Sequence, residues 1–191
     1  MLTLSHLVEG ELEAKGSRFL ATLAPIATFS EVLAASRAAH PKANHHVVAA
    51  RRMREDGQLD EQAKDDGEPS GTAGRPALQV LRGRELVDVG ALVVRYFGGT
   101  KLGTGGLARA YAGAVAEALA KASPVPWVEV HEVWLRANFQ HTAMLEGRVG
   151  ADSALLVVER SFEARGVRLR VRGPRATLAS LAEEFADATV P

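Results

Sequence analysis

A glycine-rich segment, RYFGGTKLGTGGLAR at residues 95–109, has the composition of an anion-binding loop. It joins a predicted strand to a predicted helix, and its glycines allow the backbone to bend without Cβ clashes. The first amides of a helix lack intrahelical acceptors and lie at the positive end of its dipole, so an anion can bind there. The alternative is a tight turn that packs the helix closely against a sheet. The candidate contacts are Arg95, Lys101, Thr104 and Arg109.

This segment matches the known nucleotide-binding motifs only in part. Residues 103–108 fit a relaxed dinucleotide fingerprint, but repeated βαβ units and an acid at the end of a next parallel strand are missing. A Gly-Lys-Ser/Thr sequence at the spacing of a Walker A loop is also missing. The spacing therefore indicates an anion site without assigning a nucleotide to it.

An acidic segment, DDGEPSGTAGR at residues 65–75, is the second candidate site. Asp65, Asp66 and Glu68 carry the oxygen ligands that a hard cation such as Mg²⁺ prefers. Ser70 and Thr72 are weak nucleophiles, and neither has an adjacent base at a readable spacing. The alternative, which spacing alone favours, is a solvated, flexible loop. Neither a metal site nor a cofactor is predicted.

The two segments carry opposite charges, which suggests that they meet across one cleft. The hypothesis places Asp66 or Glu68 near Lys101 or Arg95.

His45 and His46 begin a predicted strand, in which neighbouring side chains point to opposite faces. One of the two is expected to face the core or the cleft, and the other to be exposed. We include His45 among the candidate ligand-binding residues. The other histidines lie elsewhere in the sequence, which favours a hydrogen-bonded histidine over a metal ligand.

Three arginines form a second candidate surface. Arg168, Arg170 and Arg172 alternate with aliphatic residues, so the period of two places all three on one face of a strand. Sheets that bind RNA use such a face but combine charge with stacking aromatics, and none is interleaved on this strand. A solvated face or an interdomain contact is the alternative to nucleic-acid binding. Trp127 and Trp134 are predicted to be core or interface residues rather than stacking platforms.

The predicted elements fall into two series. The first has strands at 18–24, 45–51 and 87–97 and helices at 29–40, 76–82 and 107–122. Thr28 and Glu31 are interpreted as a capping box, Pro76 as a first helical residue, and residues 54–74 as lacking regular structure. SPVP at 123–126 predicts a stiff linker. The second series has strands at 127–136, 154–160 and 165–172 and helices near 139–148 and 174–187.

The β-α-β-β-α order of the second series predicts a ferredoxin-like sandwich. Only ATVP follows its last helix, so the final strand of that fold is expected to be missing or very short.

Composition restricts the classes of protein. With 191 residues, 47% of them apolar and 24% charged, the chain is expected to be globular, with one or two domains. Lys and Arg total 23, as do Asp and Glu, so the formal net charge is zero. Any electrostatic binding of nucleic acid would therefore come from a local patch. The lack of cysteine excludes disulfides and thiol catalysis. We see no secretory signal and no apolar run near the roughly 20 residues that span a bilayer. We therefore expect a cytoplasmic protein without a membrane partner.

Two long motifs carry a family resemblance. DDGEPSGTAGRP (65–76) and VVRYFGGTKLGTGGLARAY (93–111) resemble the IMPACT family and, within it, the bacterial YigZ-type proteins. KGSRF (15–19) and PKANH (41–45) are similar to earlier motifs of the family. Val47 is a departure, because many members have cysteine there, so a thiol role does not apply to this chain. The resemblance covers about residues 10–122 strongly.

The resemblance implies an α+β fold of two domains. Residues 1–123 would form a ribosomal protein S5 domain 2-like domain that contains a βαβ unit. Residues 127–191 would form a small ferredoxin-like domain, similar to the C-terminal domain of elongation factor G. It implies no established reaction, and eukaryotic relatives act through protein contacts in the control of translation initiation. Fold analogy alone is a weak basis for function.

The leading hypothesis is a non-enzymatic protein linked to translation that binds RNA, the ribosome or a regulatory protein through the two segments. The alternative is an enzyme or sensor for a small phosphorylated ligand, because S5-like folds also include small-molecule kinases with a glycine-rich phosphate loop.

Overall fold

The structure is a computed structural model, and it describes residues 1–54 and 56–186. The chain divides into two compact units, residues 1–127 and a second unit that begins at Val128. Residues 188–191, where the final strand was expected to be missing or very short, and the last residue of the helix predicted at 174–187 lie outside the described residues. Among the helices described, none is both long and apolar enough to cross a bilayer.

The described residues of the first unit form seven strands and three helices. In chain order they are β1 Leu2–Thr3, β2 Val8–Ala14, β3 Ser17–Pro25, α1 Ile26–Ala39, β4 His45–Met53, β5 Leu59–Lys64, α2 Gly74–Gly83, β6 Val89–Tyr96, α3 Thr104–Ala120 and β7 Val125–Pro126. Five of the strands form one sheet in the order β2-β3-β6-β4-β5, and every neighbouring pair is antiparallel. Because β3 and β4 are both antiparallel to β6, they run parallel to each other, and α1 connects them in a βαβ crossover.

The sheet is covered on both faces, and the alternation of residues along each strand divides its core in two. Phe19, Val47 and Val93 lie in the larger cluster with α2 and α3. Val48 and Val94 directly follow Val47 and Val93 in the sequence, and they lie in a smaller cluster with Phe29 of α1. This arrangement explains why β6 reads as a continuous apolar run, since both of its faces are buried.

The structure corrects three expectations for the irregular parts of the sequence. Residues 54–74 are not structureless, because β5 pairs with β4 from Val48 opposite Lys64 to Met53 opposite Leu59. The SPVP segment, predicted as a stiff linker between two domains, is part of the first unit, since Val125 and Pro126 pair with Thr3 and Leu2. β2 went unpredicted, although its residues alternate between exposed glutamates and the inward-facing Val8, Gly10 and Leu12.

The predicted starts of α1, α2 and α3 are also wrong, and α3 begins at Thr104 instead of residue 107. α1 begins at Ile26, directly after Pro25, and has no side-chain cap, so Thr28 and Glu31 do not form a capping box. The Thr28 hydroxyl instead donates to the Pro25 carbonyl at 3.3 Å. α2 begins at Gly74, two residues before Pro76, because its first amides have an acceptor outside the helix, described below.

The second unit has the predicted β-α-β-β-α order. Its elements are β8 Val130–Asn138, α4 Thr142–Ala151, β9 Leu156–Glu163, β10 Gly166–Pro174 and α5 Arg175–Glu184. The sheet order is β8-β10-β9, and both pairings are antiparallel. Val167, Leu169 and Val171 are buried in one cluster with residues of α4 and α5. The α+β class with two units is therefore confirmed.

The predicted arginine stripe lies on the face of β10 opposite its helices, and an aromatic residue of the neighbouring strand lies beside it. Trp134 of β8 pairs with Arg170 in the register and is 38% exposed, so it is not a core residue. The Arg168 guanidinium lies 3.7 Å from the centroid of the Trp134 ring. Arg170 and Arg172 form ion pairs with Glu132, and Arg170 also pairs with Glu159. Most of the charge of the stripe is therefore neutralised.

Candidate functional site

The carboxylate of Asp65 organises the acidic segment from within. Its Oδ2 atom accepts a hydrogen bond from the Gly71 amide at 2.7 Å, and its Oδ1 atom accepts from the amides of Ala73 and Gly74 at 3.0 and 2.8 Å. The N-cap residue of α2, Ala73, has no side-chain acceptor to offer. Asp65 therefore caps α2 and closes the segment into a compact turn.

We expect Asp65→Asn to lower the free energy of unfolding by about 2 kcal/mol at neutral pH, because one amide oxygen cannot accept all three hydrogen bonds. Burial opposes ionisation of Asp65, but the amides of Gly71, Gly74 and Ala73 outweigh it and hold its pKa below the usual value of 3.8. The stabilisation is therefore complete above the unfolded-state pKa and is lost as pH falls through the lower folded-state pKa. Urea unfolding of wild type and Asp65→Asn from neutral to acidic pH should show that their difference in free energy of unfolding becomes smaller in acid. A difference that does not depend on pH would contradict this role of Asp65.

A buried ion pair joins the acidic segment to the glycine-rich segment. Glu68 Oε1 accepts hydrogen bonds from Arg95 Nη1 at 2.6 Å and from the Tyr111 hydroxyl at 2.7 Å. The side chains of Glu68 and Arg95 are only 4% and 6% exposed. The hypothesis that the two segments meet is confirmed by this pair. Burial, with the hydrogen bond to Glu68 as the next cause, raises the pKa of Tyr111 far above its usual value, so its hydroxyl stays a donor.

Arg95 has aromatic and polar neighbours in addition to Glu68. Its guanidinium lies 5.3 Å from the ring centroid of Phe19 and 5.5 Å from that of Phe97. Its Nη2 atom donates to Ser17 Oγ at 3.3 Å, and the same oxygen accepts from the Gly98 amide at 3.1 Å. These contacts connect the start of β3 to the start of the glycine-rich segment.

His45 and Asp66 connect the acidic segment to the first residues of β4. His45 Nδ1 donates to the Asp66 carbonyl at 2.8 Å, which leaves His45 Nε2 facing Glu68 Oε1 at 3.6 Å. The Asp66 carboxylate accepts from the His46 amide at 2.6 Å. His45 and His46 point to opposite faces of the sheet as expected, but both are partly buried, so the expectation that one is exposed is wrong.

Ser70 and Thr72 differ in their surroundings. Ser70 is exposed, whereas Thr72 is buried and its hydroxyl donates to the Pro69 carbonyl at 2.6 Å. No group of three or more His, Asp or Glu side chains within residues 1–54 and 56–186 is placed to hold a metal ion. The three carboxylates of the acidic segment are instead engaged by donors of the protein.

Lys101, Thr104 and Arg109 are exposed and lie outside the buried cluster. In the described part of the chain, no hydrogen bond or ion pair links them to Asp66 or Glu68. α3 begins after Gly103, whose φ of 73° suits glycine, and its first intrahelical bond runs from the Leu107 amide to the Gly103 carbonyl at 2.9 Å. The amides of residues 104–106 find no acceptor among the described residues.

A shallow groove of about 280 Å³ runs beside the start of α3. Leu12, Leu102 and Ala110 give it apolar walls, and Lys15 and Arg109 supply two cations. Lys15 belongs to the β2–β3 turn, and the adjacent Gly16 packs so tightly on Gly98 that a Cβ on Gly98 would lie 1.9 Å from the Gly16 carbonyl carbon. The turn and the glycine-rich segment therefore form one surface.

Sequence reasoning missed Ser17, Tyr111 and Lys15 as parts of this region. Ser17 and Lys15 lie within the KGSRF motif, and Tyr111 lies within the second long motif, so the motif boundaries were the available signal. Their contacts were not readable, because Ser17 is separated from Arg95 by 78 residues and Tyr111 from Glu68 by 43.

Comparison with known proteins now decides the family. The model of the Impact N-terminal domain matches residues 15–119. The chain belongs to the IMPACT family. Among its relatives in the family, the IMPACT family member YigZ of Escherichia coli (strain K12) is 35% identical over 178 residues, which cover 92% of this chain and 86% of YigZ. A Thermus thermophilus IMPACT family member, described as lying in the pol 5′ region, is 43% identical over 160 residues, covering 83% of this chain and 84% of that protein.

The fold of this chain is also similar to that of a solved structure. A crystal structure described only as that of a hypothetical protein is 34% identical, with a TM-score of 0.75, and covers 97% of this chain and 91% of its own. The YigZ-type resemblance inferred from the two long motifs is confirmed. Since both motifs lie within residues 15–119, the buried cluster and the start of α3 belong to the domain that the family model describes.

Proposed function

We propose that this IMPACT family member is a non-enzymatic regulatory protein of translation that binds RNA through the surface formed by Lys15, Phe97, Lys101, Thr104 and Arg109. One observation carries the proposal. The acidic residues of the 65–75 segment are engaged by donors of the protein, whereas the cations at the start of α3 are exposed and the first amides of that helix lack an acceptor among the described residues.

This surface has the chemistry that single-stranded nucleic acid requires. Lys15, Lys101 and Arg109 provide charges for phosphates, and the amides at the start of α3 provide hydrogen-bond donors at the positive end of the helix dipole. Phe97 is 45% exposed and is held beside the Arg95 guanidinium, so its ring can stack on a base. The zero net charge of the chain does not oppose this local binding.

The link to translation rests on the family. The resemblance implies that eukaryotic relatives act in the control of translation initiation, and such a role would place this chain in the cytoplasm. The second unit contributes the Trp134 ring, which lies against the Arg168 guanidinium with Arg170 beside it. A base can replace or extend that stack, so this face is a secondary RNA contact.

We expect the variant Lys101→Ala/Arg109→Ala to bind a short fluorescein-labelled single-stranded RNA about 10- to 30-fold more weakly than wild type at moderate salt. Three phosphate contacts predict a slope near about −2 for the logarithm of affinity against the logarithm of salt concentration, and the variant should lose more than half of that slope. Fluorescence anisotropy measures both quantities. Lys121→Ala, at the other end of α3, is the matched control and should bind like wild type.

Three results would redirect the proposal. Absence of RNA binding in wild type at low salt would overturn it. Binding to ribosomes or to a regulatory protein, but not to free RNA, would transfer this surface to that partner. A thermal shift with one nucleotide and none with RNA would support the small-ligand alternative, since ligand at 100 times its dissociation constant stabilises by about 2.7 kcal/mol.

A further inference from the structure

A second groove lies on the opposite face of the five-stranded sheet from α2 and α3. It runs between α1 and the β4–β5 edge of the sheet and has a volume of about 390 Å³. None of the residues that line it belongs to the surface proposed above for RNA. Its volume falls within the usual range of small-molecule sites, which are mostly apolar with a few polar groups that orient the ligand.

Two regular patterns build this groove. On α1, Ile26, Phe29, Leu33 and Arg37 recur every three or four residues, and Ser30 follows Phe29, so they line one side of the helix. On the sheet, alternate residues of β4 face α1, and the register places Lys64 of β5 opposite Val48. Phe29 and Val48 are buried in the core cluster beneath α1, with Leu33 packed against it, and they form an apolar floor.

The charges along the groove are predominantly positive. Arg37, Arg52 and Lys64 line it, and no ion pair joins any of them to a residue within 1–54 or 56–186. Asp66 is the acidic lining residue, and its carboxylate already accepts the His46 amide. Arg52 faces Asp60 across the β4–β5 register, so the excess of positive charge lies at the other end, near Arg37 and Lys64.

His46 lies at this positive end of the groove and has a buried ring nitrogen. Its Nε2 atom is buried, and no hydrogen-bond partner for it is present among the described residues. Burial lowers the pKa of His46, and Arg37 and His40 add to the decrease, whereas Asp66 and a hydrogen bond from the ring to the Ser36 backbone oppose it. Buried polar atoms in native proteins nearly always have a partner, which is either a protein group or an ordered water, so this nitrogen is available to a polar group that enters the groove.

We propose that this groove binds a small organic anion with an apolar body. The apolar body lies on Phe29, Leu33 and Val48, and the anionic head, a phosphate or a carboxylate, lies between Arg37 and Lys64 within reach of His46 Nε2. This second site is independent of the proposed RNA surface. Inorganic phosphate lacks the apolar body, and a neutral aromatic compound lacks the anionic head. Each should therefore bind the groove with lower affinity than a ligand that has both.

Titration of ¹⁵N-labelled full-length protein with 1-naphthyl phosphate tests the proposal. We expect saturable amide shifts in the second half of α1, the start of β4 and the end of β5. 1-Naphthol and inorganic phosphate should each bind about 10-fold more weakly or worse, because each loses one of the two contact types. Shifts confined to the start of α3 would assign the probe to the RNA surface and overturn the groove proposal.

Three variants complete the test. Arg37→Ala and Lys64→Ala should each weaken binding of 1-naphthyl phosphate by about 10-fold, whereas Arg84→Ala, an exposed arginine at the C-cap of α2, should not change it. Ser30→Phe should abolish binding, because its ring would occupy the groove from an exposed helix position. Unchanged melting temperatures would show that these variants fold. Equal affinity of the three charge variants, or full binding by Ser30→Phe, would overturn the proposal.

Discussion

Glu68→Ala is expected to lower the free energy of unfolding by about 3–5 kcal/mol, which is the usual cost of removing one partner from a buried ion pair. Arg95 would keep its charge in a site where it still contacts Ser17 Oγ and two aromatic rings. The buried Tyr111 hydroxyl would lose its acceptor at the same time. Urea unfolding followed by circular dichroism measures the effect.

Glu11→Ala is the matched control, since Glu11 pairs with Arg18 on the surface of the same sheet at 2.8 Å. Exposed pairs of this kind contribute little, so this variant should unfold close to wild type. The variant Glu68→Met/Arg95→Met should recover much of the loss, because it removes both charges and retains an apolar volume. If Glu68→Ala changed stability no more than Glu11→Ala, the buried pair would not be the element that holds the two segments together.

Gly98→Ala should destabilise the protein by about 3 kcal/mol, a large cost for one methyl group. The added Cβ would lie 1.9 Å from the carbonyl carbon of Gly16 and 2.4 Å from the Ser17 amide nitrogen. Both are backbone atoms, so no side-chain rotation can relieve the overlap. The glycine-rich segment would have to move away from the β2–β3 turn, and the hydrogen bond from the Gly98 amide to Ser17 Oγ would break.

Gly105→Ala separates this effect from a general need for glycine in the segment. A Cβ at Gly105 would meet only the end of the Arg109 side chain, at 3.5 Å, in the first turn of a helix where alanine is favourable. We expect its stability to equal or exceed that of wild type in the same urea experiment. If the two variants lost equal free energy of unfolding, the close contact between Gly98 and Gly16 would not explain why glycine is needed at residue 98.

The strands and helices with strong periodicity were predictable because their patterns are local. β6 has an uninterrupted apolar run, which indicates a strand buried on both faces. β10 alternates arginine with aliphatic residues, which indicates a strand buried on one face. β5 was missed because its residues are nearly all polar, and it is an edge strand that contributes little to the core. α2 starts earlier than Pro76 indicates because Asp65, outside the helix, caps it.

The candidate site was predictable as a pair of segments but not in its details. The attraction between opposite charges indicated that the segments meet, and Glu68 with Arg95 shows that they do. The sequence did not show which of the charged side chains form that contact. Lys101 is as cationic as Arg95, yet Lys101 is exposed and Arg95 is buried between two strands of the core. Trp134 was misplaced for a similar reason, since its neighbour Arg168 belongs to another strand.

By itself, the sequence determined the family, the α+β class and the order of most elements, because motifs and hydrophobic periods are carried by residues close together in the chain. Only the tertiary structure decided which charged groups are internal supports and which are free to bind, since Glu68 is 27 residues from Arg95 and 43 from Tyr111. A side chain loses its freedom to bind a ligand when a distant part of the chain supplies its partner, and sequence spacing does not record that distance.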